Sequence, residues 1–391
     1  MLSPSLKRKL VGFASFFFVF FLLIDPSNSI FRLKIPAFAL FIGSLAIAYK
    51  PSMKHLWIII SLLLVHFVSS ILGMLGDYEI DPQIQRQYFL FIILLISLFW
   101  SKNINIKNAI SISCLVVSVL SIIGFVSMQF YPLLEESLYM FSEAHDQPFF
   151  MARRNIMGLE ITSFMFRTLP VTMIPAAYHY DQFLFEKKKR FLNLLQTIIY
   201  LVAIICGGLR TMFLGVFVIL MFMTYPKIKR YKIVQFFTII LVLVGFYVAY
   251  LAITDSDSES SGIKFGHLLS YMDLIGEHWE YLIFGMGPGA MFYSKGVGQL
   301  IPLTEWTYFE IFRMYGIVGL IFFAYLLLIP LVKHNNRKFP IKNWRSISLG
   351  YLFYLVSCMS NPYLIGSTGL ICIIFIYSIV DNPIFREKRP L

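Results

Sequence analysis

Charged residues are scarce in this chain of 391 residues. Asp, Glu, Lys and Arg make up 14% of it, whereas hydrophobic residues make up 58%. Soluble proteins carry about 25% charged residues, and no soluble core of this length could bury so much apolar surface. The lack of charge therefore excludes a soluble globular protein and predicts a polytopic membrane protein.

Cysteine and the common metal and nucleotide motifs are also scarce. The four cysteines lie in or beside apolar segments without metal-ligand spacing, and no histidine pair has zinc spacing. We find no Walker loop and no activated-serine motif. We therefore expect no disulfide framework, no metal and no cofactor. The cysteines are Cys114, Cys206, Cys358 and Cys372.

The net charge of +12 suggests nucleic-acid binding at first sight. However, the lysines cluster in short connections beside apolar runs, where they act as determinants of membrane topology. We therefore expect no nucleic-acid partner. We interpret the apolar run from Leu10 to Ile24 as an uncleaved first span rather than a signal peptide, because a turn follows it instead of a small-residue cleavage pattern.

Apolar runs of about spanning length recur along the whole chain. Their number predicts an all-α fold with about twelve transmembrane helices, and residues 1–391 form one integral membrane domain. The runs begin near residues 10, 35, 55, 87, 108, 159, 191, 210, 233, 307, 346 and 364.

Lysine and arginine are concentrated in alternate connections between these runs. Cytoplasmic loops carry an excess of Lys and Arg, so these connections and both termini are predicted to be cytoplasmic. Two long connections then lie outside, at about residues 131–158 and 254–304. The basic connections include Lys50, Lys54, Lys102, Lys107, Lys187, Lys227, Lys333, Lys342 and Arg386.

The second outer connection combines an amphipathic helix with a glycine turn. Apolar residues recur there at intervals of three and four, a pattern typical of a helix on a membrane surface. The turn is Gly285-Met286-Gly287-Pro288-Gly289, and it is either an anion- or sugar-binding turn or a plain loop. The apolar positions are Phe265, Leu268, Leu269, Met272, Ile275, Trp279 and Leu282; the polar ones are His267, Ser270, Asp273, Glu277 and Glu280.

Four arginines are predicted on the outer side. Arg210 opens the eighth span, and a cation at a helix N-terminus favours a bound anion. Arg167, about two turns into the predicted sixth span, needs a cavity or a partner, because a buried guanidinium costs a few kcal/mol. Glu160, seven residues earlier, is one possible structural partner. Arg153 and Arg154 are supporting ligands or plain loop charges, and Arg210 is a ligand or an interfacial arginine.

The tenth span opens with three charged residues. On a continuous helix, Glu305 shares a face with Gly316, which predicts a carboxylate above a tightly packed groove. Glu305 is therefore a candidate general base, and the alternative is a solvated carboxylate at the rim. Glu310 and Arg313 are three residues apart, and this spacing favours an internal salt bridge.

In this order, the features resemble the O-antigen ligase and polymerase superfamily. They are many spans, an Arg before a span, a long outer loop, Leu282-Ile283-Phe284-Gly285-Met286-Gly287-Pro288-Gly289, and a polar residue ahead of Gly316-Ile317-Val318-Gly319. Ligases of this family have His where this chain has Glu305, and that departure favours a repeat-unit (Wzy-like) polymerase. The departures leave the identity of the base open.

The resemblance implies a GT-C-like, inverting, metal-independent glycosyltransferase in the bacterial inner membrane. It would act on undecaprenyl-diphosphate-linked donor and acceptor glycans in the outer leaflet, and a chain-length regulator would be a further partner. Arg210, Arg167, Arg154 and Arg153 would hold the diphosphate, and Glu305 would be the base. Three alternatives stay open: an O-antigen ligase, a flippase or other transporter of the lipid-linked unit, and a partner-binding membrane scaffold.

Overall fold

The computed structural model describes residues 3–76, 78–156, 159–208, 210–228, 259–335 and 341–386. They form a helical bundle with two short antiparallel hairpins. The helices are α1 (Pro4–Ile24), α2 (Lys34–Ala48), α3 (Leu56–Leu75), α4 (Pro82–Leu94), α5 (Lys107–Phe130), α6 (Pro132–Ala144), α7 (Met173–Phe185), α8 (Arg190–Gly207), α9 (Arg210–Ile228), α10 (Glu259–Glu277), α11 (Tyr281–Phe284), α12 (Thr307–Asn335), α13 (Trp344–Ser357) and α14 (Ser367–Asp381). The hairpins pair β1 (Phe149–Ile156) with β2 (Leu159–Phe166), and β3 (Phe292–Ser294) with β4 (Gln299–Ile301).

Five helical segments of the described chain are long and apolar enough to cross a membrane. Three shorter apolar helices, Lys34–Ala48, Thr211–Lys227 and Ser367–Asp381, accompany them. The chain is therefore a mostly helical protein with helices suited to a bilayer, while the number of twelve spans stays a prediction. The predicted ninth span, near residue 233, lies outside the described residues. The five segments are Met53–Leu75, Pro82–Trp100, Lys107–Phe130, Arg190–Gly207 and Thr307–Lys333.

The connections predicted to be cytoplasmic meet at one end of the bundle. There the buried Asp381 accepts from His55 Nε2 at 2.7 Å and forms an ion pair with Lys54. Nearby in the bundle, Lys342 and Glu186 form an ion pair at 2.9 Å. We call this the basic end; it comprises residues 48–55, 100–107, 185–190, 341–345 and 381–386.

The connections predicted to be outer meet at the opposite end. Ser29 Oγ donates to the His145 carbonyl at 2.5 Å, and Thr307 Oγ1 donates to the Asn361 carbonyl at 2.8 Å. Asp81 N donates to the Gly289 carbonyl at 2.8 Å. These bonds join loops that are far apart in sequence. We call this the loop end; it comprises residues 25–33, 131–156, 159–168, 281–307 and 361–366.

Helix α14 runs through the centre of the bundle. All 15 of its residues are buried. A helix that is apolar all round can face lipid on every side or protein on every side, and α14 is the second kind. The N-terminus of α14 is fixed at the loop end, because Ser367 Oγ donates to the Pro26 carbonyl at 3.1 Å.

The predicted sixth span is wrong in its first half. Residues Leu159–Phe166 form strand β2, paired antiparallel with β1 from Phe149↔Phe166 to Ile156↔Leu159. The segment is rich in β-branched and aromatic residues, which favour strands. Only the 13 residues of α7 are regular α-helix, a length of about 20 Å that is too short for a hydrocarbon core of about 30 Å. The first outer connection therefore extends past residue 158 to about residue 168.

Helix α12 is broken at Gly316, where φ is 64° and ψ is −165°. A break removes the intrahelical partners of the carbonyls before it. Two of these carbonyls are satisfied by the glycine turn: Met286 N donates to Arg313 O at 2.8 Å, and Gly287 N donates to Met314 O at 3.1 Å. The glycine turn therefore packs directly against the break in α12 and supplies the hydrogen bonds that the break removes.

We expect Gly316→Ala to destabilise the protein by about 2 kcal/mol or more, because a Cβ there would overlap the Ile283 carbonyl and occupy a left-handed backbone. The measurement is thermal unfolding of the purified protein in detergent. The control is Gly43→Ala in α2, where a Cβ meets nothing within 4 Å; this change should be neutral or slightly stabilising. Equal melting temperatures for the two variants would contradict the packing of the break.

Candidate functional site

Arg167 lies at the loop end, directly after strand β2. Its backbone N–H donates to the Pro148 carbonyl at 3.2 Å, which continues the hairpin pairing by one residue. Its Nη2 donates to Gln147 Oε1 at 2.9 Å, and its guanidinium lies 4.7 Å from the centre of the Phe150 ring. Its Nε is buried and has no hydrogen-bond partner among the described residues. The guanidinium is thus fixed in place with one donor unsatisfied.

The surroundings of Arg167 are unfavourable for a bare charge. Burial lowers the pKa of its guanidinium, and the nearby Tyr363 and Asp146 oppose that shift. The bonded partner, Gln147, is a neutral amide and supplies no opposing charge of its own. Asp146 and Gln147 also have φ values of 53° and 51°, a left-handed conformation that is rare outside glycine. Such strain persists where the surrounding structure imposes it, often at functional sites.

The alternative that Arg167 pairs with Glu160 along one helix face is ruled out, because these residues are not on a helix. Glu160 lies in strand β2, where its backbone pairs with that of Asn155 near the far end of the hairpin. Arg167 follows the opposite end of the same strand. At about 3.3 Å per residue, seven residues separate the two by about 23 Å along the strand.

Arg210 begins helix α9, as the sequence predicts, two residues after Gly208 ends α8 in a left-handed conformation with φ 65°. The preceding glycine, Gly207, packs against the side chains of Met165 and Leu169. These two residues stand on either side of Arg167 in the sequence. The start of α9 and the segment that carries Arg167 are therefore neighbours at the loop end. The Arg210 side chain lies outside what the structure describes.

Arg153 and Arg154 lie on strand β1, away from Arg167. Arg153 is five residues from Pro148, which is about 17 Å along the strand. Its exposed side chain donates from Nε to Glu135 Oε1 at 2.8 Å. Arg154 pairs in register with Ile161, and its side chain is outside the described part. The hairpin thus places these two arginines apart from Arg167, and their role as diphosphate ligands stays a prediction.

Glu305 precedes helix α12, which begins at Thr307. The prediction that Glu305 and Gly316 share a helix face is wrong, because Glu305 is outside the helix and Gly316 interrupts it. The half-exposed Glu305 carboxylate forms an ion pair with Lys264 of α10 at 2.8 Å. The second outer connection therefore supplies the charge that holds the candidate base.

Tyr363 is the residue that sequence reasoning missed. It is buried in the loop between α13 and α14, and its backbone carbonyl accepts from Tyr354 Oη at 2.8 Å. Burial raises the pKa of the Tyr363 hydroxyl; Glu305 raises it further, and Arg167 lowers it. Glu305 and Arg167, the two predicted site residues, therefore both influence the Tyr363 hydroxyl electrostatically. One feature of the sequence could have indicated it: Asn361-Pro362-Tyr363 interrupts the apolar sequence between the last two predicted spans, on the predicted outer side.

The predicted Glu310–Arg313 salt bridge is confirmed and is fully buried. Arg313 donates to Glu310 Oε2 from Nε at 3.1 Å and from Nη2 at 2.7 Å. The other carboxylate oxygen accepts from Tyr271 Oη at 2.5 Å and from Thr304 N at 3.0 Å. Arg313 Nη1 also donates to the Ala290 carbonyl at 2.6 Å. A buried pair needs additional hydrogen bonds of this kind to offset desolvation.

The glycine turn has three positive φ values: 73° at Gly285, 96° at Gly287 and 81° at Gly289. Its first three N–H groups are used inside the protein, because Gly285 N donates to Tyr281 O at 2.9 Å and the next two donate to the broken helix. These three groups are not free for an anion or a sugar. The turn therefore packs against the break in α12. A ligand of this turn would have to bind at Pro288 or Gly289.

Within the part of the chain that the structure describes, no three His, Cys, Asp or Glu side chains are placed to hold a metal ion together. Compared with known proteins, the sequence matches no family model and no curated protein. The candidate site consists of the Arg167 guanidinium with one unsatisfied donor, the Glu305 carboxylate paired with Lys264, and the buried Tyr363, whose hydroxyl both groups influence electrostatically.

We expect Arg313→Met to destabilise the protein by about 3–5 kcal/mol, because it leaves the Glu310 carboxylate buried without its cation. Adding Glu310→Gln should recover a large part of this loss, since the charge is then removed from both sides. Thermal unfolding in detergent of the two single variants and the double variant gives the coupling energy. Additive losses would show that the two side chains do not depend on each other.

Proposed function

We propose that this protein polymerises undecaprenyl-diphosphate-linked oligosaccharide repeat units into a surface polysaccharide of the O-antigen type. The growing glycan on one lipid diphosphate would be the donor, and a single lipid-linked repeat unit would be the acceptor. The loop end would face the periplasm, and the basic end with both termini would face the cytoplasm. The setting would be the bacterial inner membrane.

The observation that carries the proposal is the state of Arg167. A half-buried guanidinium with a neutral amide as its partner and an unsatisfied Nε donor is suited to an incoming anion. Phosphate oxygens fit this role, because arginine binds them through charge-assisted and often paired hydrogen bonds. Arg210 would add a second cation at the N-terminus of α9, where the helix dipole also favours an anion.

The proposed chemistry is a direct displacement at the anomeric carbon. A hydroxyl of the acceptor attacks that carbon, the bond to the donor's diphosphate oxygen breaks, and the configuration inverts. Glu305 takes the hydroxyl proton, and Arg210 and Arg167 stabilise the negative charge that develops on the departing undecaprenyl diphosphate. No nucleotide is consumed, because the energy of the step resides in the lipid diphosphate.

The neighbours of Glu305 suit this role in one respect. Lys264 fixes the carboxylate at 2.8 Å without burying it, since both side chains keep solvent access. Tyr363 lies within the field of Glu305 and of Arg167, so the base and the anion site would belong to one region of the loop end. A chain-length regulator would be a separate partner of this region.

Two other functions would use the same anion site differently. A ligase would transfer the finished glycan to a lipid A core acceptor, and the family's histidine is replaced here by Glu305. A flippase would carry the lipid-linked unit across the bilayer without joining units, and it would need polar groups near the middle of the membrane. Arg167 instead lies at one end of the bundle, next to the turn that starts α9.

We expect Arg167→Ala to abolish long-chain glycan and Arg167→Lys to reduce it strongly, because Lys cannot reproduce the planar fork. The measurement is a gel of surface polysaccharide from cells that carry each variant at matched protein levels. The control is Arg86→Ala, the same change at an exposed arginine near the start of α4. Full-length chains from Arg167→Ala would remove its role in leaving-group stabilisation.

The same gel tests the proposed base through Glu305→Gln, which keeps the shape of the side chain but removes its proton-accepting charge. We expect at least a hundredfold loss of polymer formation, the size usual for losing a general base. Undiminished polymer from this variant at normal protein levels would reject Glu305 as the base and leave the anion site unaffected.

A further inference from the structure

Helix α10 turns its polar side toward the protein and its apolar side away from it. Its buried positions include His267, Ser270 and Tyr271. Its exposed positions include Phe265, at 61% exposure, and Met272, at 64%. A surface helix of a soluble protein shows the opposite arrangement, with the apolar stripe facing the core.

Specific hydrogen bonds fix this orientation. His267 Nδ1 lies 2.6 Å from Ser294 Oγ, and Lys295 N donates to Ser270 Oγ at 2.7 Å. Tyr271 Oη donates to the buried Glu310 carboxylate at 2.5 Å. Rotating α10 to bury its apolar stripe would break all three bonds. The outward apolar face is therefore a stable feature of the fold.

The exposed stripe continues beyond α10. Trp279, in the turn after α10, is 69% exposed, and Ile283 of α11 is 47% exposed, so exposed apolar residues continue past the end of the helix. Tyr281 Oη then lies 2.7 Å from Tyr78 Oη, just past the end of α3. The last turn of α3 exposes Leu75 at 74%. The stripe thus adjoins the apolar flank of a helix that is long enough to cross a bilayer.

We propose that α10 and the turn after it lie in the surface of the bilayer at the loop end, with the exposed stripe of Phe265, Leu269, Met272 and Trp279 buried among lipid headgroups and upper acyl chains. The stripe adjoins the exposed apolar flank of α3, a helix long and apolar enough to cross a bilayer, and this continuity favours lipid as the occupant. An aromatic residue such as Trp279 is suited to that depth. The inference concerns the membrane contact of the helix and does not depend on the proposed reaction.

Membrane docking of α10 has a consequence for the candidate site. Lys264 directly precedes Phe265, the first residue of the stripe, and it is the ion-pair partner of Glu305. Tyr271, on the opposite face, binds Glu310 at the start of α12. Docking of α10 in the bilayer surface would therefore also set the position of Lys264, which holds the Glu305 carboxylate in an ion pair.

The test is spin-label accessibility in liposomes. Single cysteines replace Phe265, Met272 and, as the matched control on the polar side of the same helix, the exposed Glu277; the four native cysteines are buried. A nitroxide at each position is exposed to oxygen, which partitions into lipid, and to a water-soluble nickel chelate. We expect oxygen to dominate at Phe265→Cys and Met272→Cys, and nickel to dominate at Glu277→Cys.

Two outcomes would overturn the proposal. Nickel dominance at all three positions would place the stripe in water. Low accessibility to both reagents at Phe265→Cys and Met272→Cys would show that protein covers it, either a partner or a second copy of this chain. Because the readout needs no enzymatic activity, it is independent of whether the protein polymerises glycans.

Discussion

The buried ion pair between Glu310 and Arg313 is the interaction on which the loop end depends. Its two charges lie in the first turns of α12, shortly before that helix breaks at Gly316. Each charge is satisfied from the second outer connection: Glu310 by Tyr271, and Arg313 by the Ala290 carbonyl. An uncompensated charge at such a depth would cost several kcal/mol. If residues 259–304 separated from the bundle, Glu310 and Arg313 would lose these hydrogen bonds or become exposed to solvent. This part of the second outer connection is therefore packed as part of the folded core.

This constraint explains how Lys264 of α10 reaches Glu305 from a distant part of the sequence. The ion pair holds α10 above α12, and α10 carries Lys264 to Glu305. On the other side, the first hairpin ends at Arg167, and the start of α9 is its neighbour through Gly207. The buried Tyr363 lies within the fields of both parts. The proposed base and the proposed anion site lie on separate connections, and this separation would suit the proposed reaction between two lipid-linked substrates.

Features that depend on residues close in sequence could be predicted from the sequence alone. The Glu310–Arg313 pair follows from a spacing of three residues on a helix, and the apolar runs are long enough to identify helices without knowledge of their neighbours. The sequence predicts a helix where strand β2 lies, because an apolar stretch with aromatic residues has the composition of either element. Tyr363 was missed, because the sequence around it does not show that its side chain is buried. Likewise, the spacing around Phe265 gives an amphipathic helix but not which face meets the protein.

The most direct measurement is elongation by the purified protein in liposomes. The substrate is a synthetic repeat unit on undecaprenyl diphosphate, supplied without any nucleotide or metal. We predict a ladder of products that grow by one repeat unit at a time, together with one released undecaprenyl diphosphate for each bond formed. Unchanged repeat units, or their passage across the bilayer without elongation, would contradict the proposed polymerase.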